Sequence, residues 1–178
     1  MSMPKQRVLS AEGNHTARRW ICAPGSTMKP LSLLALADAG KLTTRDEFEC
    51  PGQLILNGHN MSCSHPRVTL PMNVSRAIAY SCNCAVAHFA QRFAPGELAN
   101  FLTRTGLISV RFESDVQQRV QALGEGGAYA TPLELLTAYH YLARRADEPV
   151  MAPILDGMEG AVEFGTGQNA ALSRIRVA

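Results

Sequence analysis

Residues 24–40 read Pro24-Gly25-Ser26-Thr27-Met28-Lys29-Pro30-Leu31-Ser32-Leu33-Leu34-Ala35-Leu36-Ala37-Asp38-Ala39-Gly40, and a helix is expected to begin after Pro24-Gly25. Pro30 falls close to its first turn, where a missing N–H does least harm. Gly40 stands where a helix C-terminal glycine belongs, and Leu33, Leu34, Leu36 and Ala37 provide a broad surface to bury. Ser26 and Lys29 are nearly one helical turn apart, so hydroxyl and amine share a face. A serine hydroxyl is a poor nucleophile until a base takes its proton. A lysine amine serves as that base when burial or a neighbouring cation lowers its pKa. The helix N-terminus adds free N–H groups and positive dipole where an oxyanion would form. The same pattern also describes a capping serine beside a solvated lysine, and these residues alone do not choose between the two.

Outward from this helix, Asn57-Gly58 between Leu54-Ile55-Leu56 and His59-Asn60-Met61 predicts a β-hairpin with a tight primed turn. A helix is expected around 71–80, broken at Tyr80-Ser81-Cys82-Asn83 and resumed over Ala85–Phe93. Pro95-Gly96-Glu97 opens a short helix that closes at Gly106. The best-marked helix covers 132–145: Thr131 is its N-cap, Pro132 its first residue, and Glu134 completes a capping box. Leu135, Leu136, Tyr139 and Leu142 are its expected apolar stripe. Residues 7–11 predict a short strand, and residues 173–178 the lead-in to another. With no internal repeat, low-complexity tract or linker, the chain reads as one mostly helical domain.

Composition narrows the function classes. The 178 residues are 46% hydrophobic and only 18% charged, which argues against disorder. The net charge is +2, with no basic stripe interleaved with aromatics, so a nucleic-acid surface is not expected. The longest stretch free of Asp, Glu, Lys and Arg, Cys50–Pro66, is rich in Gly, Pro, Asn and Ser and spans no membrane. The first ten residues carry basic groups without an apolar core behind them, so they do not read as a secretory signal.

Taken as a whole, residues 24–40 resemble the first active-site motif of the penicillin-binding protein transpeptidases. Ser81-Cys82-Asn83 stands where that family carries its Ser-x-Asn motif. The hairpin segment, residues 50–70, resembles the insertion between the two motifs. Residues 122–143, from Ala122-Leu123-Gly124-Glu125-Gly126-Gly127 into Thr131-Pro132-Leu133, resemble the family's glycine-rich approach to a Thr-Pro-Leu helix. The resemblance covers about residues 7–178. It implies an α/β (α+β) fold of the penicillin-binding/β-lactamase-like type, here mostly the helical subdomain with an incomplete antiparallel sheet.

The resemblance also implies roles. Ser26 is the nucleophile that forms an acyl-enzyme, and Lys29 is the base that takes its proton. Ser81 relays a proton between Lys29 and the leaving or attacking amine. Asn83 hydrogen-bonds the substrate amide and steadies Lys29. The implied partners are a peptidoglycan stem peptide ending in D-Ala-D-Ala and β-lactams as inhibitors, with no cofactor, in the extracytoplasmic cell envelope. A serine β-lactamase shares the nucleophile and lysine but needs a deacylating base, for which no glutamate stands out. A non-catalytic β-lactam-sensing or interaction module, or a gene fragment, is the alternative of a different class.

The family's third motif is Lys-Thr/Ser-Gly on a strand beside the nucleophile. Phe164-Gly165-Thr166-Gly167 is a near match without the lysine. The preferred reading takes residues 156–178 as the lead-in to that strand, so the chain is expected to be a single partial domain that stops at Val177-Ala178, short of the motif, and lacks a first strand at its front. Helices meant for the sheet are then expected to expose apolar faces, and transpeptidase activity of the chain alone to be weak.

Five cysteines are too few, and an odd number, for a disulfide scaffold. Cys50 and Cys63 flank the hairpin and are placed to pair across its base. Cys63, His65, Cys82 and Cys84 are soft ligands near one another in sequence, but their spacing matches no zinc-ribbon or finger pattern and no metal is expected. Cys82, Cys84 and Cys22 read as small buried fillers.

Overall fold

The computed structural model describes residues 14–173 and Val177. The strand expected over 7–11 lies outside these residues, as does nearly all of 174–178. The architecture is mixed: helices enclose the core and two small antiparallel sheets lie at its edges, an α+β arrangement.

Helix α1 (Asn14–Arg19), not expected from sequence, leads to a single 3₁₀ turn, Gly25–Met28, and then to α2, Lys29–Asp38. Every residue of α2 from Lys29 to Leu36 is buried, not one face alone. Around it stand α3 (Val74–Ala79), α4 (Asn83–Ala90), α5 (Glu97–Arg104) and, later in the chain, α8 (Ala152–Glu163). Leu31, Leu33, Leu34 and Leu36 pack there in one core with Phe89, Leu98, Leu102, Met151 and Ile154. Helices thus cover α2 without a broad sheet. Apolar side chains are nevertheless exposed, as expected: Trp20 and Ile21 after α1, Leu136 on a later helix, and Ile108, Val110 and Tyr129 in and beside the second strand pair.

Strands β1 (Ile55–Leu56) and β2 (His59–Asn60) pair antiparallel, with Leu56 opposite His59. Asn57 and Gly58 have φ of 50° and 76°, the two positive values that a primed two-residue turn requires. Strand β3 (Ile108–Ser109) pairs with β4 (Ala128–Tyr129), and Cys22 bridges to Ala130 at the end of β4. Among the described residues the β-structure is therefore two short pairs and two isolated bridges, the second joining Phe48 to Met72; the first pair is the expected hairpin.

Helix α3 begins at Val74, where Asn73 Oδ1 accepts from the N–H of Arg76 at 2.9 Å. Helix α4 begins at Asn83, two residues earlier than expected. Besides α1, two further helices have no counterpart in the sequence reading: α6 (Asp115–Ala122), which is mostly polar, and α8, which contains Gly157 and Gly160. In α8 the glycines allow close packing on α3: a Cβ on Gly157 would lie 2.7 Å from the Ser75 carbonyl oxygen. Residues 164–167 follow the end of α8 and pair with no described strand; the N–H of Thr166 donates instead to Ala79 O at 3.1 Å. This argues against Gly165-Thr166-Gly167 as a degenerate third motif.

Helix α7 (Pro132–Arg144) has both halves of its capping box: Thr131 N–H donates to Glu134 Oε2 at 2.7 Å, and Glu134 N–H to Thr131 Oγ1 at 3.2 Å. Its inward stripe is Leu135, Ala138, Tyr139 and Leu142, the i, i+3, i+4, i+7 series. Leu136, expected inward, is about 100° off that stripe and exposed. Arg145 makes a bidentate pair with Asp38 at 2.7 and 2.8 Å, joining the end of α7 to the end of α2.

Candidate active site

The turn bearing Ser26 is held from three sides. Gly25 N–H donates to Gly124 O at 3.0 Å, and Tyr139 Oη donates to Thr27 O at 2.8 Å. Thr27 Oγ1 donates to Pro24 O at 2.7 Å. Gly124 is required by this approach: its φ is +77°, and a Cβ there would stand 2.0 Å from Gly25 O. Burial of Tyr139 pushes its phenol up to about 12, so it remains a donor. Ser26 itself is exposed. In a 3₁₀ turn side chains at i and i+3 eclipse, which stacks Ser26 over Lys29, the first residue of α2.

Lys29 is 1% exposed. Its Nζ donates to Ser81 O at 2.6 Å, Ser81 Oγ at 2.7 Å and Asn83 Oδ1 at 2.5 Å. All three donors of an ammonium are thereby used. Burial lowers the Lys29 pKa to about 8, while Cys63, Cys82 and Glu125 pull it the other way. At that value about a tenth of Lys29 is neutral at pH 7, enough to act as a base. Asn83 Nδ2 donates to Met61 O at 2.9 Å, tying the start of α4 to the hairpin.

Of the four residues singled out in the sequence, the structure joins Lys29, Ser81 and Asn83 by direct hydrogen bonds. Ser26 lies one turn above them, and among the described residues no hydrogen bond links its Oγ to Lys29. Beside them opens a cleft of about 550 Å³, lined by Asn57, Asn60, Met61, Asn83 and Glu125 among others. Gly124, Glu125, Met61 and Tyr139 were not anticipated as site residues. Glu125 stood in a recognised glycine-rich approach, but its place at the cleft depends on contacts distant in sequence.

Four of the five cysteines, Cys50, Cys63, Cys82 and Cys84, gather around the stretch that carries Ser81 and Asn83. Cys50 and Cys63 do meet across the hairpin base, with sulfurs 3.7 Å apart, but as free thiols. The cluster that forms is Cys50, Cys63, His65 and Cys82. Cys84, expected among the candidate ligands in place of Cys50, donates to Gln53 O at 3.5 Å. Hydrogen bonds from Cys82, Cys84 and Cys50 converge on Cys63 and hold its thiol well below the usual range; the same bond to Cys63, together with burial, pushes Cys82 up.

The sequence profile of the penicillin binding protein transpeptidase domain matches residues 14–173. No curated protein matches the chain. Among solved structures, a peptidoglycan glycosyltransferase from Burkholderia ambifaria superposes with a TM-score of 0.80 at 19% identity, over 92% of this chain and 64% of that one. The transpeptidase domain of penicillin-binding protein 3 from Burkholderia pseudomallei gives 0.79 at 20% identity, over 92% and 60%. Pseudomonas aeruginosa PBP2, solved in complex with WCK 5153, gives 0.63 at 21% identity, over 73% and 34%. The chain thus spans between about a third and two thirds of the solved chains it resembles. The profile match over nearly all described residues and the shared fold agree with the Lys29–Ser81–Asn83 arrangement: this chain belongs to the penicillin-binding protein transpeptidase family.

Proposed function

We propose that this chain carries the acyl-transfer machinery of a serine D,D-transpeptidase acting on peptidoglycan stem peptides ending in D-Ala-D-Ala, with β-lactams as mimics that acylate it. One observation carries the reading: a buried lysine, one turn below an exposed serine at a helix start, bonds both the Ser81 hydroxyl and Asn83. Neutral Lys29 takes the Ser26 proton as Oγ attacks the penultimate D-Ala carbonyl. The Ser26 N–H is available to the oxyanion. Lys29 returns the proton through Ser81 to the departing D-Ala amine, leaving an acyl-Ser26 ester. An acceptor amine then attacks that ester and its proton travels back through Ser81, regenerating the enzyme. Asn83 holds the substrate amide.

No Lys-Thr-Gly or Lys-Ser-Gly occurs in the 178 residues. No described helix is long and apolar enough to cross a membrane. The family reading supports a site of work on the extracytoplasmic side of the envelope.

A serine β-lactamase is the second reading, favoured by the carboxylate of Glu125 in the cleft with Asn83. Labelled penicillin tests both. A slow, stable adduct of one penicillin on Ser26, abolished in Ser26→Ala, is expected. Rapid release of hydrolysed penicillin assigns a β-lactamase. No adduct after prolonged incubation of folded protein leaves a non-catalytic module.

A further inference from the structure

Four metal-binding side chains from separate stretches converge behind Asn83. Cys50 and Cys63 close the base of the β1–β2 hairpin, His65 follows shortly after, and Cys82 lies between Ser81 and Asn83. Their sulfur and ring-nitrogen atoms all lie within 4.8 Å of one another. Cys50 Sγ is 3.7 Å from Cys63 Sγ, 3.4 Å from Cys82 Sγ and 3.8 Å from His65 Nε2, and Cys63 and Cys82 are 3.7 Å apart. A tetrahedral zinc ion with Zn–S bonds of about 2.3 Å and a Zn–N bond of about 2.0 Å sets sulfur–sulfur edges of about 3.8 Å and sulfur–nitrogen edges of about 3.5 Å. The three sulfur–sulfur edges and the Cys50–His65 edge lie within about 0.4 Å of that tetrahedron, and the other two His65 edges are no longer than 4.8 Å. A disulfide would need about 2.05 Å.

The surroundings suit thiolates and an oriented imidazole. Backbone N–H groups point at each sulfur: Gly52 at Cys50 at 3.3 Å, Cys84 at Cys63 at 3.4 Å, and Ala85 at Cys82 at 3.4 Å. His65 Nδ1 sits 2.8 Å from Pro66 O, which assigns the proton to Nδ1 and leaves the Nε2 lone pair facing the sulfurs. The ring also packs against Tyr80, 5.9 Å between centroids. Cys84 Sγ, though 3.5 Å from Cys63 Sγ, is engaged with Gln53 O and stands outside the set. No linear motif announces this site, because Cys82 comes from beyond the hairpin.

We propose that Cys50, Cys63, His65 and Cys82 form a structural site for a soft divalent metal ion, zinc foremost, that clamps the β1–β2 hairpin to the turn carrying Ser81 and Asn83. Binding sends whatever thiol protons the three cysteines still carry to solvent, and four protein ligands leave no open position for catalysis at the metal. The clamp acts in parallel with the Asn83–Met61 hydrogen bond, so the metal fixes one wall of the cleft and the left-handed backbone at Ser81, φ +50°, together.

The full chain, purified under reducing conditions and dialysed against zinc and then buffer, is expected to retain one zinc by elemental analysis. Cys50→Ser, Cys63→Ser and Cys82→Ser lose it, while Cys22→Ser and Cys84→Ser keep it. Because an unfolded variant also loses metal, cobalt replacement in the unaltered chain gives an independent readout: a thiolate-to-cobalt charge-transfer band with the intense visible bands of a tetrahedral ion. A folded, reduced chain that retains neither metal overturns the proposal. So does a non-reduced mass two hydrogens lighter with Cys50 joined to Cys63 and no metal. Loss of metal in folded Cys84→Ser but not in folded Cys50→Ser overturns the ligand set. None of these readouts involves penicillin, so they stand apart from the acyl-transfer reading.

Discussion

Lys29 Nζ grips Ser81 twice, at the hydroxyl and at the carbonyl oxygen, while Ser81 holds φ +50°. The backbone around Ser81 explains the conformation. Ser81 N–H donates to Ile78 O and Cys82 N–H to Ala77 O, both at 2.9 Å, which closes α3 with a Schellman motif. The left-handed residue of that motif is usually glycine. Here it is serine, because glycine has no hydroxyl to offer Lys29. Local strain at a functional position is thus held by a buried cation.

Two substitutions separate strain from chemistry. Ser81→Gly and Ser81→Ala both delete the hydroxyl, but only glycine accepts φ +50° freely. Ser81→Gly is expected to be more stable than Ser81→Ala by about 1 kcal/mol, or about 2–4 °C in Tm for a chain of this size. Penicillin acylation falls in both, by about 10²–10⁴ if the hydroxyl relays a proton. Thermal melts and adduct formation measure the two effects; an alanine variant as stable as the glycine one refutes the strain argument.

The pH dependence follows from Lys29. With its pKa lowered to about 8, acylation of Ser26 rises as pH increases through about 8 and then levels. Glu125 is an anion that raises the Lys29 pKa, so Glu125→Gln moves the midpoint downward. Stability has a definite sign as well. Between about 8 and the ordinary 10.5 the unfolded chain binds this proton and the folded chain does not. The Lys29 contribution to stability therefore increases with pH across that window and is unfavourable below it. A pH–rate profile of adduct formation checks the midpoint; an unchanged or raised midpoint in Glu125→Gln contradicts the assignment.

Lys29→Met tests the base directly. Methionine is of similar length but offers no proton acceptor of comparable basicity, so acylation is expected to drop by about 10²–10⁴. Circular dichroism should retain the helical signal, since α2 is held by its buried leucines. A variant that acylates at the parent rate removes Lys29 from the mechanism.

What could be read in advance was what is encoded within a few residues. Asn57-Gly58 specifies its own turn, and Thr131 with Glu134 specifies its own cap. Ser26, Lys29, Ser81 and Asn83 were singled out because the segments around them resemble a known family, and the structure brings three of them, Lys29, Ser81 and Asn83, into direct contact. Helix α6 was not, because its buried positions include Gln118 and Gln121; Gln121 Nε2 bonds Val110 O and Gly127 O, at 2.8 and 2.6 Å, so packing there is polar. Helix α8 was hidden by Gly157, whose value lies in its contact with α3 rather than in helix propensity. Glu125, Met61 and Tyr139 reach the site through contacts long in sequence, which leave no local pattern.

Gly124 supplies the sharpest mechanical test. Gly124 and Gly40 both have positive φ, +77° and +67°, but Gly40 has open space where a Cβ would go and Gly124 has Gly25 O at 2.0 Å. Gly40→Ala pays only for the backbone, about 1–2 kcal/mol. Gly124→Ala pays that and must also push back the turn that carries Ser26. A shift of about 1 Å in a reacting group costs on the order of 10² in rate. Gly124→Ala is therefore expected to melt lower than Gly40→Ala and to acylate about 10²-fold more slowly than the parent, while Gly40→Ala acylates at close to the parent rate. Measuring Tm and adduct rate for both decides it; equal rates in the two variants would show that the Gly25–Gly124 contact does not position the nucleophile.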